Sequence, residues 1–200
     1  AAIAKHTNAF KINEDVVIPL ERLGEYTDAI ERINIELSIS NKLELLDELD
    51  QYFMPLTRSD RTDQAREAIE NLRQRWTYLL KNMDAPSGEG AGEAQGEAQG
   101  GRLLDRLQDR SIRVSWKTEL RAALLRIFMG AEFSHVIDDC DAIHKRVLHG
   151  RLWIALHMHA GDGNVHTNIP VNSDNYAMLQ TANLTVAKIM RIARDLNGVI

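Results

Sequence analysis

The chain has 200 residues, 44% of them hydrophobic and 26% charged, an ordinary balance for a folded protein with one sizeable core or two small ones. Its net charge of −5 argues against nucleic acid as the main partner, since phosphate binding needs a basic patch, and no apolar run approaches the ~18–20 residues of a membrane span. The single cysteine, Cys140, excludes an internal disulfide and a cysteine-rich metal site, and fits a reducing compartment: the cytoplasm, or a peripheral place on the inner membrane face.

The first element predicted is a short strand over 14–19, Glu-Asp-Val-Val-Ile-Pro, closed by Pro19. A helix over about 20–38 follows, with Ile30, Ile33 and Leu37 as its apolar stripe. Helical spacing continues over 41–53 through Leu43, Leu46 and Leu49 until Pro55. Ser59-Asp60 offers caps for a helix over 61–83 that would bury Ala65, Ile69, Leu72, Trp76, Leu79 and Leu80. Residues 86–101 hold six of the twelve glycines and a repeated Gly-Glu-Ala-Gln, which reads as a flexible tether.

Helical pattern resumes over 102–128 and again over 132–149. Trp76, Trp116 and Trp153 read as packing residues. Cys140 sits among Asp138, Asp139 and Asp141, whose charge works against a nucleophilic thiolate. His135, His144 and His149 have no ligand spacing among themselves. Two strands are predicted over 152–158 and 165–171. A last helix capped by Ser173-Asp174 would run to about Leu196 and bury Leu179, Leu184, Ala187, Ile189 and Ile192. Gly198 then reads as a helix-ending residue and Val199-Ile200 as the start of a new strand. The order implies an α+β fold, an antiparallel sheet with helices packed on one face and a helical-hairpin insertion. The expected domains are 1–58 with 129–200, and an inserted hairpin over 59–128. Both ends read as cut from a larger protein.

The chemistry concentrates in His159-Ala160-Gly161-Asp162-Gly163-Asn164-Val165-His166. Two histidines seven residues apart frame a glycine turn between strands, so both imidazoles reach one point at a hairpin mouth. Two converging imidazoles are most of a catalytic metal site, which typically uses three protein ligands and one open position. His159 and His166 are the expected ligands. His157 shares their face as a neighbour or as part of a His-x-His pair, and Asp162 braces the turn. Lys11 lies just before the first strand, in reach of an anionic ligand. A bland hairpin with incidental histidines is the alternative.

The run His159 to Asn168 resembles the signature His-x-Gly-Asp-Gly-Asn-x-His-x-Asn of the C-terminal domain of FAD-linked oxidases, filling all its fixed positions. These are flavoprotein 2-hydroxy-acid dehydrogenases of the vanillyl-alcohol-oxidase type, such as D-lactate dehydrogenase, D-2-hydroxyglutarate dehydrogenase and the glycolate oxidase flavin subunit. Asp15 to Leu23 looks like that family's first strand and helix start. The resemblance implies a ferredoxin-like cap domain whose sheet covers the reactive face of FAD, with FAD held mainly by an N-terminal domain.

It also implies a divalent metal, zinc or manganese, at His159 and His166. Asn168 and Lys11 would contact a small 2-hydroxy acid, and Gly163 and Asn164 would lie against the cofactor. The third ligand, a glutamate in Glu-His-Gly, and the adjoining catalytic histidine would follow Ile200. An electron-transfer module is a further implied partner. Two other readings stay open: a metal-dependent hydrolase using His157, His159 and His166, and a non-catalytic interaction module with residues 59–128 as its arm.

Overall fold

A computed structural model describes residues 9–87, 101–159 and 161–199. The tether expected at 86–101 falls, over 88–100, outside the described residues. The fold is α+β, built on a three-stranded antiparallel sheet of order β1-β3-β2. The described residues form two compact units by internal packing. One runs to Ser38 and resumes at Gly150, and the other spans Ile39 to His149. Its limits differ from the insertion limits 58/59 and 128/129 read from the sequence.

In the first unit, β1 (Ala9–Val17) is longer than predicted and starts earlier. The reason is a strict alternation: Val16 and Ile18 are buried while Lys11, Asn13, Asp15 and Val17 face out. Pro19 and a single 3-10 turn over Leu20–Arg22 lead into α1 (Leu23–Phe53). The two helices predicted over 20–38 and 41–53 are thus one. No proline or glycine interrupts them, and Asn41 donates its side-chain amide to the carbonyl of Val147 (2.9 Å) instead of capping a new helix.

Strands β2 (Ala155–His159) and β3 (Asn164–Asn172) form the hairpin, and α6 (Tyr176–Asp195) follows. Tyr26, Ile30 and Ile33 of α1 join Val165, Ile169 and Val171 of β3 and Met178, Ala182, Ile189 and Ala193 of α6 in one core. Helices therefore cover one sheet face and leave the other open. Inside that core the hydroxyls of Tyr26 and Thr167, both fully buried, satisfy one another at 3.1 Å. Burial pushes the Tyr26 phenol above its ordinary value.

α6 begins at Asn175, whose side chain accepts from the Met178 N–H (2.9 Å), and not at Ser173-Asp174. It ends with Asn197 at φ 59°, while the Gly198 N–H reaches back to the Ala193 carbonyl (2.7 Å). The left-handed residue is therefore Asn197 rather than Gly198. Glycine at 198 answers a space demand instead, since a Cβ there would stand 2.9 Å from the backbone oxygens of Val17 and Ala193. Val199 then exchanges both backbone hydrogen bonds with Val17 (2.8 and 2.9 Å). This bridge lies on the edge of β1 away from β3, and the first unit runs β-α-β-β-α in order, with the second unit interrupting it from Ile39 within α1 to His149 before β2.

The second unit is helical. α2 (Asp60–Lys81) starts on a reciprocal Ser59–Thr62 cap and buries Thr62, Ala65, Ile69, Trp76 and Leu79. The helix predicted over 102–128 is broken. α3 (Leu103–Gln108) stops where the Asp109 carboxylate accepts from the Ser111 N–H (2.8 Å) and Arg110 adopts φ 66°. Ile112 turns back onto Leu79 and Leu103. A π-helical turn over Trp116–Leu120 leads into α4 (Arg121–Ile127), and α5 (Ser134–His149) completes the unit. Arg121 holds Asp141 through both guanidinium arms (2.8 Å each), which keeps that carboxyl below its usual range. Among the described residues no helix is long and apolar enough to cross a membrane.

Candidate functional site

The open sheet face carries the chemistry because the pairing register stacks polar residues in rows across it. Asp15 pairs with His166, and His166 pairs with His157. One row toward the hairpin turn, Val17, Asn164 and His159 stand side by side. One row the other way lie Asn13, Asn168 and Ala155, and beyond them Lys11 opposite Pro170. Directly opposed residues of an antiparallel pair share a face. Val165, Thr167, Ile169 and Val171 point the other way and are at most 2% exposed. The polar set is therefore the necessary complement of the apolar set that builds the core.

Lys11, Asn13, Asp15, His157, His166 and Asn168 line one concavity of about 330 Å³. Ala155, beside Asn168, contributes no bulk to that part of the face. The volume is at the small end of ligand pockets, which run from roughly 300 to 1,000 Å³. Asp15 binds Nδ1 of His166 at 2.7 Å. That contact fixes the ring and directs Nε2 away from the carboxylate, the usual support for a metal-ligating histidine. The three imidazoles form a triangle with centroid separations of 5.3 Å (His157–His159), 5.6 Å (His159–His166) and 6.0 Å (His157–His166).

Among the described residues no three His, Cys, Asp or Glu side chains converge as a formed metal site. His159 and His166 stand on one sheet face, and Asp15 braces only His166.

The expected site residues are therefore distributed as follows. Lys11, His166 and Asn168 line the concavity, His159 stands beside it in ring contact with His157 and His166, and Asn164 neighbours His159 on the same face. Gly163 lies apart. It is buried at φ 75°, and its carbonyl accepts from the Ile18 N–H (2.9 Å). Asp162 braces the turn by accepting from the Asn164 N–H (3.2 Å). Asn13 and Asp15 were not singled out from the sequence. The period-two pattern Lys11, Asn13, Asp15 against Ile12, Val16, Ile18 is the signal that finds them.

Elsewhere, burial and then the neighbouring Asp139 and Asp141 push the Cys140 thiol up to about 12, which removes it as a nucleophile. His144 stacks on Trp116 at 5.0 Å, and burial lowers its pKa. Trp76 and Trp116 pack inside as expected, whereas Trp153 is 44% exposed.

Residues 130–200 match the family model of FAD linked oxidases, C-terminal domain. The matched stretch includes β2, the Gly-Asp-Gly turn, β3 and α6, and supports a domain of that type there. No curated protein and no solved structure matches the chain. Domains of that family are parts of FAD-linked oxidoreductases, which implies a companion FAD-binding domain. The matched stretch begins beyond β1, so Lys11, Asn13 and Asp15 join the site through strand pairing alone.

Proposed function

We propose that this chain is the substrate-side domain of a FAD-dependent dehydrogenase acting on a small 2-hydroxy acid of the D-lactate or glycolate type. The carrying observation is the polar sheet face, where a lysine, asparagines and imidazoles surround a concavity of small-molecule size. FAD, held mainly by the companion domain, supplies the acceptor for the hydride. A divalent ion at His159 and His166, zinc or manganese, would supply Lewis acidity toward the substrate hydroxyl.

The chain's own residues bind and orient. The Lys11 ammonium offers a charge partner for the substrate carboxylate, and the Asn168 amide offers a donor beside it. Asp15 holds His166 in one ring orientation. Asn164, on the same face next to the turn, and Gly163, within it, present the turn region toward the flavin. A strand continued past Val199 in its register with Val17 would bring every second residue onto this same face, first beside Asp15 and then beside Asn13. A glutamate arriving there would add a carboxylate to the ligand set.

The test is anaerobic addition of D-lactate, glycolate and related 2-hydroxy acids to the complete flavoprotein, following the visible flavin band. Bleaching by one of them is expected. Lys11→Ala should raise KM for that acid by about 10–100-fold, the worth of a charge-assisted hydrogen bond. No bleaching by any 2-hydroxy acid would overturn the reading.

A further inference from the structure

We propose that Trp153 determines specificity: its indole walls the side-chain end of the substrate site, so the preferred substrate is a 2-hydroxy acid with an apolar side chain of roughly three or four carbons. The inference rests on the reading above that a 2-hydroxy acid binds through Lys11 and Asn168, and it names what that site selects.

The backbone places the indole. Trp153 is 44% exposed, whereas Leu152 and Ile154 on either side are each 4% exposed. That alternation is an extended chain, with Trp153 on the face of Ala155. Ile154 gives both its backbone groups to Asn34 (2.7 and 2.9 Å) rather than to β3. Successive residues of a strand turn these groups alternately to either side, so Trp153 and Ala155 turn theirs toward β3. The β2–β3 register carried back two residues from Ala155–Asn168 sets Trp153 against Pro170, which itself pairs with Lys11. Pro170 has no N–H for the Trp153 carbonyl, so the ladder begins only at Ala155.

The open face therefore ends in a row with the Lys11 ammonium on one side of Pro170 and the Trp153 indole on the other. A carboxylate held by Lys11 and Asn168 leaves the β2 side to the rest of the substrate, over the methyl of Ala155 and against the indole. Adjacent strands stand about 4.8 Å apart, a span that a short branched side chain fills and a lone methyl does not. Trp153 offers such a group a large apolar surface. Among the described residues Lys11 is the one Lys or Arg lining the concavity, and the substrate carboxylate takes it. A second carboxylate against the indole would lose water without a partner.

The rate of anaerobic flavin bleaching in the complete flavoprotein tests this, measured against concentration for D-lactate, D-2-hydroxyisocaproate and D-2-hydroxyglutarate. The branched acid should exceed lactate in kcat/KM by about 10–100-fold, the worth of three further buried carbons at roughly fourfold each. Trp153→Ala, with flavin content and circular dichroism unchanged, should bring the two within about threefold by slowing the branched acid, and Trp153→Phe should keep most of the preference. Equal treatment of lactate and the branched acid, a preference for 2-hydroxyglutarate, or a preference that survives Trp153→Ala would each overturn the proposal while the 2-hydroxy-acid reading stands. No bleaching by any 2-hydroxy acid would overturn that reading and this inference with it.

Discussion

Gly163 is held at φ 75°, and a Cβ built there would stand 2.2 Å from the Ile18 carbonyl oxygen. Two demands coincide at one residue, a left-handed backbone and a backbone-to-backbone approach that locks the hairpin turn onto the end of β1. Gly163→Ala should therefore lower unfolding free energy by roughly 2–4 kcal/mol, strain and overlap together, in urea denaturation. A loss below about 0.5 kcal/mol would mean that the turn rebuilds without strain. By contrast, nothing lies within 4 Å of a Cβ at Gly161, so the two glycines of Gly-Asp-Gly have different duties. The sequence made His159, His166 and Asn168 legible because they sit in one short run. Asp15 was not, since its part in the site follows from a pairing with His166 across 151 residues of chain. A local pattern names the strand but not its partner or register.

α6 shows how an element can be read correctly in kind and only partly in orientation: Leu179, Ile189 and Ile192 do meet the core, while Leu184 and Ala187 do not. Its large apolar residues pointed to a stripe through Leu179, Leu184, Ala187, Ile189 and Ile192. The buried stripe is Met178, Ala182, Thr185, Ile189 and Ala193. Small side chains face the sheet at 182, 185 and 193, and Thr185 satisfies its hydroxyl on the Thr181 carbonyl (2.8 Å). Leu184 is left 69% exposed. Residue size misled because close helix–sheet approach selects small residues, which hydropathy undervalues. Leu184→Ala should change stability by no more than about 0.5 kcal/mol. Ile189→Ala, at a fully buried position, should cost about 2–5 kcal/mol in the same denaturation experiment. Equal costs would place the stripe elsewhere. α2 read well for the opposite reason: its cap is a local Ser59–Thr62 exchange and its buried residues recur at simple helical spacing.

At the scale of the whole molecule, the helical unit is an insertion that begins within α1, at Ile39, and ends at His149 before β2. The sheet unit draws its fully buried core from residues up to Ile33 and from Leu152 onward. The two ends of the interruption are tied together inside that unit by Asn34. Its side-chain oxygen accepts from the Ile154 N–H (2.7 Å), and its amide donates to the Ile154 carbonyl (2.9 Å). Ser38 lies one helical turn beyond Asn34, about 6 Å along the axis, and Gly150 lies four residues before Ile154, at most about 14 Å of extended chain. A Gly/Ser linker of roughly eight residues spans that separation with slack. Replacing residues 39–149 with such a linker should therefore leave a protein that unfolds cooperatively and keeps the β signature in circular dichroism. Asn34→Ala in this shortened protein should weaken it by about 1–3 kcal/mol, because two backbone groups of Ile154 lose their partner. A shortened protein without a cooperative transition would show that the sheet depends on the helical unit for its stability. A cooperative one would establish that the site-bearing half carries its own folding information.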